Sequence, residues 1–496
     1  MVDGLARPAA MFDRDFEWSE LSRFVGHPGQ EPALGIVSGR RRQGKTFLLD
    51  AVCRATGGFY FAGTEATAAE SLRQFGVALG RFTDQPVPYR FHRWDEAVDA
   101  LMAVGAGRAA PVPVVLDEFP YLVRPAPELP SLLQRALGPQ GRQAGVAPVR
   151  LLLCGSALSF MGGLLAGTAP LRGRASLELV VPTLDFRLAA EFWGIADPRL
   201  ATMVNAVVGG TPAYAREFTL GDAPTSMADF GPWVVRNVLN PGRPLFREAR
   251  FLLAEEPALR DTALYHGVLS AVAEGNHTRG GIANYVGRRS TDLGHALTVL
   301  EDAGLLARDP DAFHGRRSTY RIVEPILTFY HAVMRPEWSD LERPGQAAGV
   351  WDRSAETFRS RVLGPHFEHL CRTWARWYAA PETLGGQRTR VASGTVTDAA
   401  ARTGHEVDVV VFGRTPAGGE ALLALGEAKW NETMGLTHLR RLEHLRTLLR
   451  ARSEPDADPP RLFCFSGAGF AADLRARALA DPGVQLVDLD RLYAGS

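Results

Sequence analysis

The chain has 496 residues, of which 46% are apolar and 22% charged, and its formal net charge is zero. That length exceeds what one hydrophobic core serves and predicts two to four soluble domains. The balanced composition excludes a long disordered tail and a surface coated in positive charge, although a local basic groove stays compatible with it.

The cysteines, Cys53, Cys154, Cys371 and Cys464, stand singly among apolar neighbours without a CxxC pair, a pattern of buried free thiols in a reducing cytosol. No apolar run is long enough for a signal peptide core or a membrane span, so a cytoplasmic protein with no membrane partner is expected. Of the 55 basic residues only Lys45 and Lys429 are lysines. Arginine serves wherever a plain positive charge suffices, so these two mark places that need a compact ammonium in preference to a planar fork.

In chain order, an apolar strand at Ala33–Ser38 runs into Gly39-Arg40-Arg41-Arg42-Gln43-Gly44-Lys45-Thr46, followed by a helix over Thr46–Ala55. A GxxxxGK[ST] string between a strand and a helix is a phosphate-binding loop. Its backbone N–H groups and the helix dipole favour phosphate, Lys45 reaches the β- and γ-phosphates, and the Thr46 hydroxyl holds Mg²⁺. A second buried strand, Val112–Leu116, ends in Asp117-Glu118, where acidic residues need a metal or a partner. Asp117 is the candidate Mg²⁺ ligand and Glu118 the catalytic carboxylate that polarises the attacking water. A third strand, Val149–Cys154, leads to Gly155-Ser156, where the Ser156 hydroxyl is placed to sense the γ-phosphate or to cap the next helix. ATP with Mg²⁺ is the expected ligand pair.

Taken together, Phe12-Asp13-Arg14, GRRRQGKT, VVLDEFPYL, LLLCGS, APLRGR at Ala169–Arg174 and VGGTPAY at Val208–Tyr214 resemble the archaeal-type ATPase family, on the AAA+ and STAND side of the P-loop fold. The resemblance covers roughly the first half of the chain in the right order. It implies that Arg174 is an arginine finger or sensor and that Gly209-Gly210-Thr211-Pro212 belongs to a helical lid.

Amphipathic stretches at Thr262–Glu274, Thr278–Val286 and Ser290–Ala303, then a turn region over Arg308–Tyr320 and a strand at Tyr320–Val323, suit a winged helix with Ser290–Ala303 in the recognition position. Arg288, Arg289, Arg316 and Arg317 could grip phosphates, whereas Asp292, Glu301 and Asp302 would repel them. Similar ATPases use winged helices to hold their own domains, and that packing role is the stronger of the two readings. A polar stretch at 336–350 with proline and glycine is expected to be a linker.

The last third places Glu368 on a helix, Glu406 and Asp408 on one strand, and Glu427 and Lys429 on the next. Alternation puts Glu406 and Asp408 on one face and Glu427 and Lys429 on one face, and a hairpin turning over Arg414–Glu420 would gather Asp408, Glu427 and Lys429 at a sheet edge. Such carboxylates suit Mg²⁺, and the lysine can neutralise a phosphate under attack. This resembles the PD-(D/E)xK nuclease fold, which implies Asp408, Glu427 and Lys429 as catalytic core and Glu368 as an added metal ligand; a relative that keeps the fold without activity is the alternative. A helix at Leu436–Ala451 and a strand at Leu462–Phe465 complete the domain, with His438, Arg440 and His444 on a solvated face.

The expected fold class is multidomain α/β: a P-loop ATPase core at 1–195, a helical lid at 196–255, a winged helix at 256–335, the linker, and a restriction-endonuclease-like domain at 351–496. The expected activity is ATP hydrolysis coupled to cleavage of nucleic acid, DNA ahead of RNA, in defence or DNA processing, with a second copy or a partner protein as a further contact. The competing expectation is a STAND-like signalling or scaffold protein whose last domain binds without cutting.

Overall fold

A computed structural model of the chain describes residues 5–29, 31–108, 110–138, 148–254, 262–414, 419–450 and 459–496. The chain divides into two compact units. The first is Met1–Thr183 with Thr211–Ala213 and Ala254–Arg260, and the second is Leu184–Gly210, Tyr214–Leu253 and Asp261–Ser496.

The first unit is built on five parallel strands, β1 (Ala33–Ser38), β2 (Phe59–Ala62), β3 (Val112–Asp117), β4 (Val149–Gly155) and β5 (Ala175–Val180), in the order β2-β3-β4-β1-β5. Strands buried on both faces read as unbroken apolar runs, and here alternate residues serve two cores. Val114, Leu116, Leu151 and Leu153 pack with Phe59, Phe75 and Trp94 on one side, while Val115, Leu152 and Cys154 pack with Trp18, Phe24, Leu48 and Val52 on the other. The helix Lys45–Thr56 follows β1 directly. Because every strand is parallel, the segments after β1, β3 and β4 emerge at one edge of the sheet, where open α/β sheets hold ligands.

The second unit begins with the helices Phe186–Trp193, Pro198–Val208, Phe230–Asn237 and Pro244–Ala254. The stretch expected as a lid, 196–255, holds the last three of these helices, and residues 255–261, where the expected winged helix begins, lie outside the described residues. Gly210 is required here: a Cβ on it would lie 1.8 Å from the Leu184 carbonyl oxygen.

The stretch expected as a winged helix holds the helices Thr262–Ala273, Arg279–Tyr285 and Gly294–Asp302 and the hairpin of β6 (Leu306–Pro310) and β7 (Ser318–Ile322). The turn region expected over Arg308–Tyr320 therefore carries most of a two-stranded wing. The stretch 336–350, expected as a linker, holds the short helix Trp338–Leu341 and the start of the helix Ala347–Thr357. Leu341 and Val350 are buried, and Trp338 stacks on Phe246 at 4.6 Å, so the few apolar residues of that polar stretch anchor it.

A second sheet runs β8 (Arg388–Asp398), β9 (Thr403–Arg414), β10 (Glu420–Lys429), β11 (Arg461–Ser466), β12 (Val484–Val487), in that spatial order. The first three form an antiparallel meander, and β11 and β12 run parallel to β10. The expected hairpin between Asp408 and Glu427 is present, and residues 415–418 of its turn lie outside the described residues. So does residue 451, the expected end of the helix Leu436–Arg450, which packs Leu439, Leu442, Leu445 and Leu449 against Val410, Phe412, Leu425 and Leu462. From the helix Gly364–Trp377, Trp374 meets Phe463 and Phe465 edge-on at 6.2 and 5.8 Å. Part of the outer edge of β8 is met by the loop between β6 and β7: Ala312 donates its N–H to Ser393 O (2.9 Å), and the Thr395 N–H donates to Asp311 Oδ2 (3.0 Å). An uncovered edge strand invites pairing with other chains, and this contact shields part of that edge.

Trp374 is fully buried. Trp374→Ala should cost about 3–5 kcal/mol through lost transfer energy and a cavity, read as a lowered urea midpoint for the second unit; a midpoint equal to wild type would refute this packing.

Candidate functional site

The loop after β1 is shaped by its backbone. Gly39 has φ 150°, Arg42 φ 70° and Gly44 φ 90°, and a Cβ on Gly39 would lie 2.5 Å from Val181 O. A Cβ on Gly44 would meet nothing within 4 Å, so the space over the loop is open. Arg14, from the Phe12-Asp13-Arg14 motif, braces the loop from beneath by donating to Pro182 O (2.8 Å) and Gln43 O (3.4 Å) while paired with Glu17 at 3.3 Å.

Lys45 is 5% exposed and its Nζ donates to Arg40 O at 2.7 Å. Burial draws its pKa below the ordinary lysine value, against the pull of Cys154, Glu118 and Asp117. Thr46 Oγ1 donates to Asp117 Oδ2 at 2.8 Å, so the hydroxyl and the carboxylate expected to share one Mg²⁺ already touch. Burial pushes the Asp117 carboxyl up, but the Cys154 thiol, the Tyr60 and Thr46 hydroxyls and the Glu118 N–H together hold it below the ordinary aspartate range. Tyr60, which donates to Asp117 Oδ2 at 2.5 Å, escaped the sequence reading because nothing marks a tyrosine inside the four-residue strand FYFA.

Glu118 follows β3 with φ 48° and ψ 43°, a left-handed conformation that is strained for glutamate and that turns its side chain out of the strand direction. Ser156 Oγ donates to Glu118 Oε2 (3.1 Å), and Arg41 lies 4.0 Å from Glu118 Oε1 while donating to Tyr121 OH (2.7 Å). Lys45, Thr46, Asp117, Glu118 and Ser156 are thus gathered at one sheet edge. Arg174 is not. It precedes β5, whose Ala175 pairs with Leu34 near the start of β1, so the exposed Arg174 lies at the opposite edge of the sheet from the loop. The rise from Leu34 to Ser38 alone is about 13 Å.

In the second unit, Ala392 pairs with Val410 and Gly394 with Val407, so Asp408 and Val409 together oppose Ser393. This bulge re-aims the strand at Asp408. The β9–β10 ladder ends at Val409 and Gly426, and beyond it Asp408 Oδ2 accepts the Ala428 N–H at 2.8 Å. Glu427 is buried, and its Oε1 receives Lys429 Nζ (3.2 Å) and Arg441 Nη1 (2.6 Å). Its Oε2 is buried without a hydrogen-bond partner. Burial raises the Glu368 carboxyl to about 7, helped by Asp408 and Glu406 and opposed by Arg372 and Lys429. Asp408 is raised for the same reason, with the Ala428 N–H and Lys429 opposing. Burial would lower Lys429, yet Glu427 and Asp408 carry it above the ordinary lysine value.

Carboxyls forced up by burial, beside an unpartnered carboxylate oxygen, describe a cluster short of cationic charge, and the donor set fits a divalent hard ion. Glu368, Asp408 and Glu427 do not close into a trio: among the described residues, one set of three His, Cys, Asp or Glu side chains has ligand atoms within 4.8 Å of one another, and it consists of Asp398, His405 and His444. One or two carboxylates are what Mg²⁺ usually takes from a protein. No described helix is long and apolar enough to cross a membrane.

No protein-family model matches the chain. An uncharacterized protein of Methanocaldococcus jannaschii, MJECL04, is 24% identical over 342 residues, covering 68% of this chain and 71% of its own length. Among solved structures, the Walker-type ATPase PABY2304 of Pyrococcus abyssi is 18% identical with a TM-score of 0.49, covering 67% of this chain and 99% of that one. The ORC2 protein of Aeropyrum pernix, in ADPNP–ADP complexes, is 16% identical at a TM-score of 0.45, covering 72% and 98%. Drosophila ORC bound to DNA is 13% identical at 0.32, covering 66% and 88%. All three TM-scores fall below 0.5, so the geometry of the residues, and not the likeness, carries the chemistry.

A glutamate whose folded pKa is about 7 is ionised in the unfolded chain from about 4.3 upward. Stability should therefore fall as pH rises between those values and carry the full penalty above them. Without added divalent ions, Glu368→Gln should gain roughly 2 kcal/mol over wild type between about pH 5 and about pH 8 in urea titrations. Parallel pH profiles would contradict the raised carboxyl.

Proposed function

We propose that the chain binds and hydrolyses ATP with Mg²⁺, and that this cycle controls a Mg²⁺-dependent nucleic-acid cleaving domain acting on DNA ahead of RNA, in defence or DNA processing. The observation that carries the ATP half is the contact of Thr46 with Asp117 beside the buried Lys45. The loop N–H groups and Lys45 hold phosphate, Thr46 and Asp117 hold the metal, and Glu118, steadied by Ser156 and Arg41, orients water for in-line attack. Bound Mg²⁺ supplies charge neutralisation at the phosphates. Arg174, on the far edge of its own sheet, fits the role of a finger only toward the nucleotide of a second copy, which agrees with a homo-oligomer.

The cleavage half rests on the buried, unpartnered Oε2 of Glu427 next to Lys429. Asp408 and Glu427, with Glu368 nearby, would hold Mg²⁺, and Lys429 would neutralise the attacked phosphate. The helix Pro198–Val208, expected in the lid, braces this site. Arg199 donates to Gly467 O (2.6 Å) and Asn431 Oδ1 (3.0 Å) and lies 4.7 Å over the ring of Trp430, the residue after Lys429. One observation favours the STAND-like signalling reading: Arg441 already satisfies Glu427 Oε1, as it would in a domain that keeps the fold and binds without cutting.

Lys45→Ala should abolish nucleotide binding, and Glu118→Gln should keep binding while hydrolysis stalls; unchanged hydrolysis in both would end the ATPase reading. Asp408→Ala and Glu427→Ala should lose Mg²⁺ binding and cleavage together, whereas Lys429→Ala should keep the metal and lose cleavage, with ATP hydrolysis intact in all three. Cleavage that survives Lys429→Ala would place the chemistry elsewhere.

A further inference from the structure

Three side chains outside both sites converge beside the turn between β8 and β9. Asp398 closes β8, His405 lies early in β9, and His444 projects from the helix Leu436–Arg450. Asp398 is buried, and its Oδ1 accepts the N–H groups of Ala400 (3.0 Å) and Ala401 (2.9 Å), which leaves Oδ2 facing the two imidazoles. His444 Nε2 is 3.2 Å from Oδ2 and His405 Nε2 is 3.9 Å from it. The His405 Nε2 is buried and has no hydrogen-bond partner. The two rings stand 5.7 Å apart at 88°, so they approach the carboxylate from different directions. Ligands about 2.0–2.1 Å from a tetrahedral ion are about 3.3 Å from one another; His444 already meets that spacing and His405 needs a small inward shift.

We propose that Asp398, His405 and His444 form a binding site for a divalent first-row transition ion, zinc foremost. Two imidazoles and one carboxylate suit a borderline ion, whereas the all-oxygen set around Asp408 and Glu427 suits Mg²⁺. Three protein ligands leave a further coordination position for water. The site has a consequence for its neighbourhood. His444 lies one helical turn beyond Arg441, which donates to Glu427 Oε1 (2.6 Å) and Glu406 O (2.8 Å), and Glu406 follows His405 in β9. An ion held by His405 and His444 ties that helix to β9 and keeps Arg441 on Glu427. The proposal is independent of whether the domain cuts nucleic acid.

The test is Co²⁺ titration of the untagged full chain, stripped with a chelator and followed by visible absorption, then displacement by Zn²⁺. One equivalent of Co²⁺ with tetrahedral or five-coordinate bands is expected, unaffected by excess Mg²⁺ and retained in Asp408→Ala. His405→Ala and His444→Ala should each weaken binding at least tenfold, and because the His444 side chain is half exposed, that variant should keep the wild-type circular dichroism. No stoichiometric Co²⁺ or Zn²⁺ on the wild type, loss of the bands to Mg²⁺, or equal binding by folded His444→Ala would overturn the proposal.

Discussion

A buried carboxylate must be met by donors or by a cation, and both candidate sites are answers to that one constraint. Asp117 meets it with protein donors: Tyr60, Thr46, Cys154 and the Glu118 N–H hold it ionised despite burial. The cluster around Asp408, Glu427 and Glu368 meets it only in part, because Glu427 Oε2 has no donor and burial drives Glu368 and Asp408 upward. The first site is therefore organised around a fixed negative charge. The second gains most from an arriving cation.

The two lysines follow from the same constraint. Lys45 is enclosed by loop backbone, where a planar guanidinium would displace the carbonyl of Arg40 that its ammonium now contacts. Lys429 pairs with Glu427, and its point charge is also felt by Asp408. Arginine serves the bracing tasks instead: Arg14 under the loop, Arg199 across Trp430, Arg441 on Glu427. Within the second unit Arg199, from the helix Pro198–Val208, meets Gly467 and Asn431, and the loop between β6 and β7 meets β8 through Asp311 and Ala312. Arg316 and Arg317, in the same loop, stay exposed.

Much of this was legible in the sequence where physics acts locally. Apolar runs closed by glycine or by an acidic pair located β1, β3 and β4 to within a residue, because strands buried on both faces tolerate little else. The β9–β10 hairpin was legible from alternation and spacing. What alternation could not convey was the bulge at Asp408-Val409, which depends on pairing with β8. The stretch 336–350 read as linker because composition weighs residues equally, whereas a few apolar residues, Trp338, Leu341 and Val350, anchor a stretch that is otherwise largely exposed. Arg174 was matched by motif, and its edge of the sheet became apparent only with the β1–β5 register. Asp398, His405 and His444 had no spacing to betray them, since a hairpin turn and a distant helix bring them together.

Control of nucleic-acid cleavage by ATP is read most directly on the substrates themselves. Purified wild-type chain should be incubated with single-stranded DNA, duplex DNA and RNA, with Mg²⁺ or Mn²⁺, with and without ATP, and the products resolved on denaturing gels. Metal-dependent cleavage of DNA that changes with ATP is the predicted result. Intact substrates in every metal and nucleotide state, from protein that hydrolyses ATP, would contradict it and leave the signalling reading in its place.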